Sequence, residues 1–236
     1  MYYTNIYLSV LNWYDKNKRD LPWRKFKDPY KIWLSEVMLQ QTQVKTVIPY
    51  YERWLNEFGS IQNVANAELD SLLKLWEGLG YYSRCRNFHR ASRIITKKYD
   101  GKIPETYDEF IALPGVGKYI ASAVLSIAHD IKIPAIDVNL KRVYARILKI
   151  KQYTKYNLVR IEKLGHELVQ CGRPGDFNQA IMDIGSKLCR PFNPLCNVCP
   201  IRKHCKAYIT GNPEEYPLAI KNKKNPTKKM TSVLVM

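Results

Sequence analysis

The chain has 236 residues, 46% of them hydrophobic, with 38 Lys and Arg against 21 Asp and Glu and a formal net charge of +17. That length and apolar content fit one large or two small folded domains and exclude general disorder. No apolar run approaches the about 18 residues of a membrane span, and the start lacks the succession of a signal peptide. The expected location is therefore cytoplasmic, with no membrane partner. The charge excess favours a polyanion such as nucleic acid through counterion release, although a Lys-rich coding bias produces the same balance.

Helical spacing dominates and strand signals are poor. Apolar groups recur at helical positions over 30–47, with Pro49 expected to stop the run. Further helices are predicted over 60–79, 86–99, 106–112, 118–129, 138–150, 156–170 and 175–189. The breakers are Gly78 and Gly80, Pro104, the 114–117 turn, Pro134 and 172–175. No internal repeat and no long linker precede residue 210. From 216 onward the chain is basic and free of acids, then ends in apolar TSVLVM, which reads as the first strand of a further domain.

Two acids stand out for chemistry. General acid–base work by a carboxyl pair needs one group kept protonated and one kept ionised, which differing environments can provide. Glu36 suits the first role. Its helical neighbours are Ile32, Trp33 and Leu39, and an acid on such a face is desolvated and held neutral. The competing reading is a surface glutamate beside hydrophobes. Asp137 suits the second role. It precedes a run with Leu140, Val143, Tyr144 and Ile147 on one face, and an ordinary N-cap explains it equally well. A cap also favours negative charge, so the two readings coexist.

Residues 113–117, LPGVG, form a tight turn that opens a helix. Gly115, Gly117 and the free amides beyond them make an anion site, to which Lys118 adds charge. With a helix before it the segment reads as a helix-hairpin-helix, a sequence-neutral grip on DNA phosphates. An ordinary helix–helix connection remains the alternative.

Four of the six cysteines, Cys189, Cys196, Cys199 and Cys205, follow a C-x6-C-x2-C-x5-C pattern. Four thiolates this close can wrap a [4Fe–4S] cluster or a zinc ion. A single C-x2-C pair favours the cluster, because zinc sites more often use two paired knuckles. Disulfides are disfavoured in a cytosolic chain. Arg190, Arg202, Lys203 and Lys206 in and beside the loop offer charge to a phosphate backbone, and a purely structural staple fits the spacing too. Cys85 and Cys171 are expected to be packed or free thiols.

The segments 21–44 (LPWRKFKDPYKIWLSEVMLQQTQV), 75–87, 113–126, 136–143 and 177–189, with the cysteine pattern, resemble the adenine DNA glycosylases of the MutY type. These belong to the helix-hairpin-helix, Gly-Pro-Asp superfamily that includes endonuclease III. The resemblance covers about residues 5 to 210 in order. QQTQ after the SEVML segment, together with GLGYYSR, points to the adenine branch. It implies an all-α fold of two helical lobes flanking a DNA-binding cleft. A six-helix barrel with the hairpin would occupy 25–129. An iron–sulfur lobe would take 1–24 plus 130–210, and 211–236 would be a basic linker and the truncated start of a C-terminal domain.

The resemblance also implies a monomer acting on double-stranded DNA, near the nucleoid, with adenine mispaired with 8-oxoguanine or guanine. The adenosine would flip into the cleft. Glu36 would protonate adenine at N7, and Asp137 would stabilise the oxocarbenium ion, with Tyr119 and Asn139 supporting both carboxylates. Trp23, Arg24 and Gln179 would line the base pocket, and Gln41 and Tyr81 would wedge into the duplex. Tyr119 stands where the endonuclease III branch has a Schiff-base lysine, so a monofunctional enzyme is implied. Lys118 should point about 100° away on the helix. A thymine mismatch glycosylase, a lyase-type relative and a catalytically silent DNA-binding module are the rivals. Two features depart from the pattern. Val138 replaces the usual Gly after the Asp, and the sequence stops in what reads as the linker and first strand of the family's 8-oxoguanine-recognising domain, so that preference is expected to be weakened.

Overall fold

In the computed structural model residues 2–218 are described, and among them every regular element is helical. The chain runs through α1 (Tyr2–Asn17), a 3-10 turn at Pro22–Arg24, α2 (Pro29–Leu39), α3 (Val44–Glu57), α4 (Ile61–Asn66) and α5 (Leu69–Trp76). It continues with α6 (Ser83–Lys98), α7 (Tyr107–Ile111), α8 (Lys118–His129), α9 (Val138–Leu148) and α10 (Lys155–Leu168). Last come α11 (Pro174–Asp183), a π turn at Ile184–Leu188, the cysteine loop and α12 (Lys206–Ile209).

The helices enclose two hydrophobic cores. The first is built between Leu21 and Ala135, with Trp33, Trp54, Trp76, Phe88 and Phe110 at its centre. The second joins α1 to α9, α10 and α11, and reaches Ile201 in the cysteine loop. Met182 packs against both. Leu21, Trp23 and Ala135 lie in the first core, so the chain crosses between cores before residue 24 and again after 135.

Helix α2 is the axis of the first core. Asp28 caps it by accepting from the amides of Tyr30 (2.9 Å) and Lys31 (3.3 Å), with Pro29 in the first turn. Every residue from Ile32 to Met38 is buried, because α2 packs against α8, which is buried from Ile120 to Ile127. An acid on such a helix cannot face bulk water. Helix α8 in turn packs closely on α11. A Cβ at Gly175 would stand 2.6 Å from the Ser126 carbonyl oxygen, so only glycine permits that approach.

Two predicted helices are broken where periodicity suggested continuity. The 30–47 run divides at 40–43, where Gln41 turns left-handed, and Pro49 lies inside α3 instead of ending a helix. The 60–79 run divides at Ala67 and Glu68. At 40–43 the turn is held by tertiary hydrogen bonds from Arg84, which local spacing cannot register. The basic stretch beyond Leu218 and the TSVLVM end lie outside the described residues.

Candidate active site

Between the two cores lies a cleft lined by Trp23, Arg24, Glu36, Tyr119, Asp137, Asn139 and Gln179, all seven predicted from the sequence to share one site. Glu36 comes from α2, Tyr119 from the first turn of α8, Asp137 and Asn139 from the start of α9, and Gln179 from α11. Their convergence follows from the packing of α2 on α8 and of α8 on α11.

Glu36 is 6% exposed. Burial pushes its carboxyl up to about 7. The Tyr119 hydrogen bond and Arg24 pull the other way, and Asp137 adds to the rise. The Tyr119 hydroxyl donates to Glu36 Oε2 at 2.8 Å. Burial, with Glu36 and Asp137 nearby, holds that phenol well above its usual range, so it stays a donor. A carboxylic acid poised near neutrality in a cleft is suited to proton donation.

Asp137 is the N-cap of α9. Its Oδ1 accepts from the Leu140 amide at 2.7 Å and its Oδ2 from Asn139 Nδ2 at 2.9 Å. Both oxygens act as acceptors, which is the bonding of a carboxylate. The approach to it is held by Asn178, which donates to Ser126 Oγ (2.7 Å) and the Ile133 carbonyl (2.9 Å) and accepts from the Ala135 amide (3.0 Å). Val138 is 74% exposed, so its bulk lies in solvent and not against the Asp137 turn. Asn139 is held by Arg142 Nη2 (2.9 Å), which also reaches the Gly185 carbonyl (2.9 Å), while Arg142 Nε donates to the Cys189 carbonyl (2.8 Å). The cysteine loop and the carboxylate turn therefore share one guanidinium.

The base of the cleft holds an ion-pair network that motif reading missed. Asp183, fully buried, receives Arg24 Nη1 (2.7 Å) and Nη2 (3.1 Å) and Arg19 Nε (2.7 Å). The local sequence carries little signal, since the positions three and four away from Asp183 are Gln179, Ala180, Ser186 and Lys187, not the apolar face that marks Glu36. Ser186 and Gln43 also line the cleft; Gln43 belongs to the QQTQ segment, but neither was singled out as a site residue.

The remaining predicted residues lie outside the cleft lining. Gly115 (φ +79) makes the hairpin turn, and a Cβ there would stand 2.7 Å from Asn87 Cβ. Gly117 begins α8 without a side-chain cap, leaving the first amides open to an anion, and Lys118 is exposed beside them. Lys118 lines a neighbouring cavity and not the carboxylate cleft. Gln41 and Tyr81 are exposed on two loops at the rim.

Cys189, Cys196, Cys199 and Cys205 surround one small cavity with Val143, Ile147, Leu195 and Ile201. Arg146 Nη1 lies 3.3 Å from Cys189 Sγ, offering positive charge to thiolates. Burial pushes Cys199 up to about 12 and Cys205 up to about 11, so a metal would have to displace protons to bind. Among the described residues, no three Cys, His, Asp or Glu side chains form a site for a single metal ion. The donor set, four thiols around one apolar cavity, fits a group that spreads its ligands over several metal atoms. Cys85 and Cys171 are buried free thiols.

The HhH-GPD superfamily of base excision DNA repair proteins matches residues 34–166, more than half of the chain, and the chain belongs to that superfamily. Within it, the chain is similar to the adenine DNA glycosylase of Buchnera aphidicola subsp. Baizongia pistaciae, with 44% identity over 87% of this chain and 59% of that protein. It is also similar to that of Mus musculus, with 43% identity over 85% of this chain and 41% of that protein. The chain thus spans about three fifths or less of the length of these relatives. A thermostable thymine-DNA glycosylase superposes with a TM-score of 0.81 at 27% identity, over 89% of this chain and 97% of that chain. An endonuclease III in a non-covalent DNA complex shares the fold, with a TM-score of 0.72 at 19% identity, over 87% of this chain and 94% of that chain.

Proposed function

We propose that this chain is the catalytic part of a monofunctional adenine DNA glycosylase, acting as a monomer on duplex DNA in the cytoplasm at the nucleoid. Its substrate is adenine mispaired with 8-oxoguanine or guanine. The observation that carries the reading is the shared cleft. Glu36, with its carboxyl near 7, and Asp137, with both oxygens accepting, line one cavity and are held by different neighbours. That is the division of labour acid-catalysed glycoside cleavage requires.

The flipped adenine enters the cleft beside Trp23, Arg24 and Gln179 while Gln41 and Tyr81 fill the gap it leaves. Glu36 gives its proton to adenine N7. The C1′–N9 bond breaks, its electrons go to the protonated base, and the sugar becomes an oxocarbenium ion. Asp137 stabilises that cation through its fixed negative charge, or closes on it briefly as a covalent ester. Glu36, now a carboxylate, takes a proton from the water that attacks C1′, leaving an abasic site. Tyr119 orients Glu36 and has no amine, so no Schiff base forms and the strand stays intact. Gly115, Gly117 and Lys118 hold a phosphate of the backbone.

Cys189, Cys196, Cys199 and Cys205 would hold a [4Fe–4S] cluster, which would supply rigidity to the loop when bound. The single close C-x2-C pair favours the cluster over zinc, whose sites more often use two paired knuckles. Arg142 and Arg146 keep the loop joined to α9.

The decisive experiment uses labelled duplexes with A opposite 8-oxoguanine, A opposite G, and T opposite G. Breaks at adenine only after alkali are expected. Breaks without alkali would indicate the lyase, T release the thymine enzyme, and binding without release the silent module. The purified chain should show an absorbance shoulder near ~400 nm from iron–sulfur charge transfer, and its absence would exclude the cluster.

The value for Glu36 also sets the pH profile. Catalysis needs the acid form, so the single-turnover rate is expected to hold below about 7 and to fall about tenfold per pH unit above it. Stability follows the same direction. The folded chain binds this proton more tightly than the unfolded one, so Glu36's contribution is complete below the ordinary 4.5 and is lost as pH rises through about 7. A rate that rises steadily from pH 6 to 9 would remove Glu36 from the acid role.

A further inference from the structure

We propose that Arg84 is a positioning residue that locks the two rim loops in the conformations presenting Gln41 and Tyr81, and so sets how readily a base leaves its stack; this assignment rests on the glycosylase reading above.

Arg84 lies in the first turn of α6 and is 8% exposed. Its Nη1 donates to the carbonyls of Val37 (2.9 Å), Met38 (2.8 Å) and Gln40 (2.6 Å), groups that the end of α2 leaves without helical partners. Its Nη2 donates to the carbonyls of Leu79 (3.3 Å) and Gly80 (3.1 Å) and to Thr42 Oγ1 (3.3 Å). One planar group thus ties the 40–42 loop to the 79–81 loop. The guanidinium also lies 5.4 Å from the centre of the Tyr81 ring and 5.5 Å from that of Trp76.

Both loops are strained where they face solvent. Gln41 has φ 58° and Tyr81 has φ 49°, left-handed backbone that costs a side-chain-bearing residue free energy. Such conformations persist only where surrounding bonds impose them; the Arg84 bonds bracket Gln41 and fix the two residues before Tyr81, whose ring the guanidinium also faces. Tyr81 is 57% exposed, so packing in the core does not account for its aromatic ring. Thr42 and Gln43 line the cleft that holds Glu36, and the Val37 carbonyl that Arg84 binds follows Glu36 directly. The clamp therefore sets the rim relative to the acid. Lysine keeps the charge but has a single nitrogen with three donors, so it cannot reach both loops in this fork geometry.

The test compares the wild-type chain, Arg84→Lys and Arg84→Met on two duplexes. In one, adenine stands opposite 8-oxoguanine, paired and stacked. In the other it stands opposite an abasic residue, where little pairing resists extrusion. Arg84→Lys is expected to lower the single-turnover rate roughly 10- to 100-fold on the paired duplex and no more than about threefold on the other. In a Gln41→Ala, Tyr81→Ala background it should cost little more, since the loops then present nothing. Where the Arg84 variants do not fold, Thr42→Val removes one Arg84 acceptor and carries the same contrast at smaller amplitude. Equal losses on the two duplexes, or an undiminished loss in the double-alanine background, would overturn the positioning role. Absence of adenine release by the wild-type chain from either duplex would sink the glycosylase reading itself, and this assignment with it.

Discussion

Glu36→Gln is expected to lower the single-turnover rate of adenine release by about 10²- to 10⁴-fold while leaving duplex affinity nearly unchanged. The amide has the shape of the acid, and its oxygen still accepts the Tyr119 hydroxyl, which donates to Glu36 Oε2 at 2.8 Å. Arg24 stays on Asp183, so the wall of the cleft stands. What is lost is the transferable proton and, after bond cleavage, the base that activates water. With the carboxyl pushed up to about 7 by burial, a large fraction of the wild-type chain is expected to hold the acid form at neutral pH. Rates from quenched-flow or manual time courses, with affinity from a mobility shift, separate the two effects. A variant that releases base within about threefold of wild type would dismiss Glu36 as the acid.

Asp183→Asn is expected to be the most damaging change outside the carboxylates, lowering stability by about 3–5 kcal/mol. Asp183 is fully buried and receives two guanidinium groups. Asparagine fits the space but leaves Arg24, only 10% exposed, without an anion. Breaking a buried pair on one side costs more than the pair contributes, because the remaining charge is neither solvated nor compensated. For a chain of this size the loss corresponds to roughly 10 °C in thermal midpoint, readable by circular dichroism. A second consequence is functional. Arg24 lines the cleft that holds Glu36 and comes from the turn between the cores, so its release is expected to loosen that cleft as well. An unchanged midpoint would show that the network contributes nothing to the junction of the two cores.

Part of the site was legible because some residues had a local reason to be noticed, whereas Trp23, Arg24, Tyr119, Asn139 and Gln179 were marked only by the family resemblance. Glu36 stands among apolar neighbours on a helix, Asp137 precedes an amphipathic run, and the Leu113–Gly117 turn and cysteine spacing carry their own signals. The assembly of Glu36 and Asp137 into one cleft with Tyr119 and Gln179 required α2 to pack on α8 and α8 on α11, a relation between residues far apart in the chain. The network around Asp183 joins residues 159 and 164 positions apart, and no window of sequence holds both ends. The same applies to Arg84. Its hydrogen bonds break the 30–47 helix at Gln41, against the local periodicity.

What the sequence by itself determined is the all-α class and the capped start of α9 at Asp137, because spacing and side-chain chemistry are local properties; the roles of Glu36 and Asp137 are what the family resemblance implies. What only the tertiary structure decided is that Glu36 is desolvated, that Tyr119 donates to it, and that Arg142 joins the Asp137 turn to the cysteine loop. Burial and hydrogen-bond partners are supplied by whichever helix packs across. That choice is made by shape and charge between distant segments, so it becomes visible only in the folded chain.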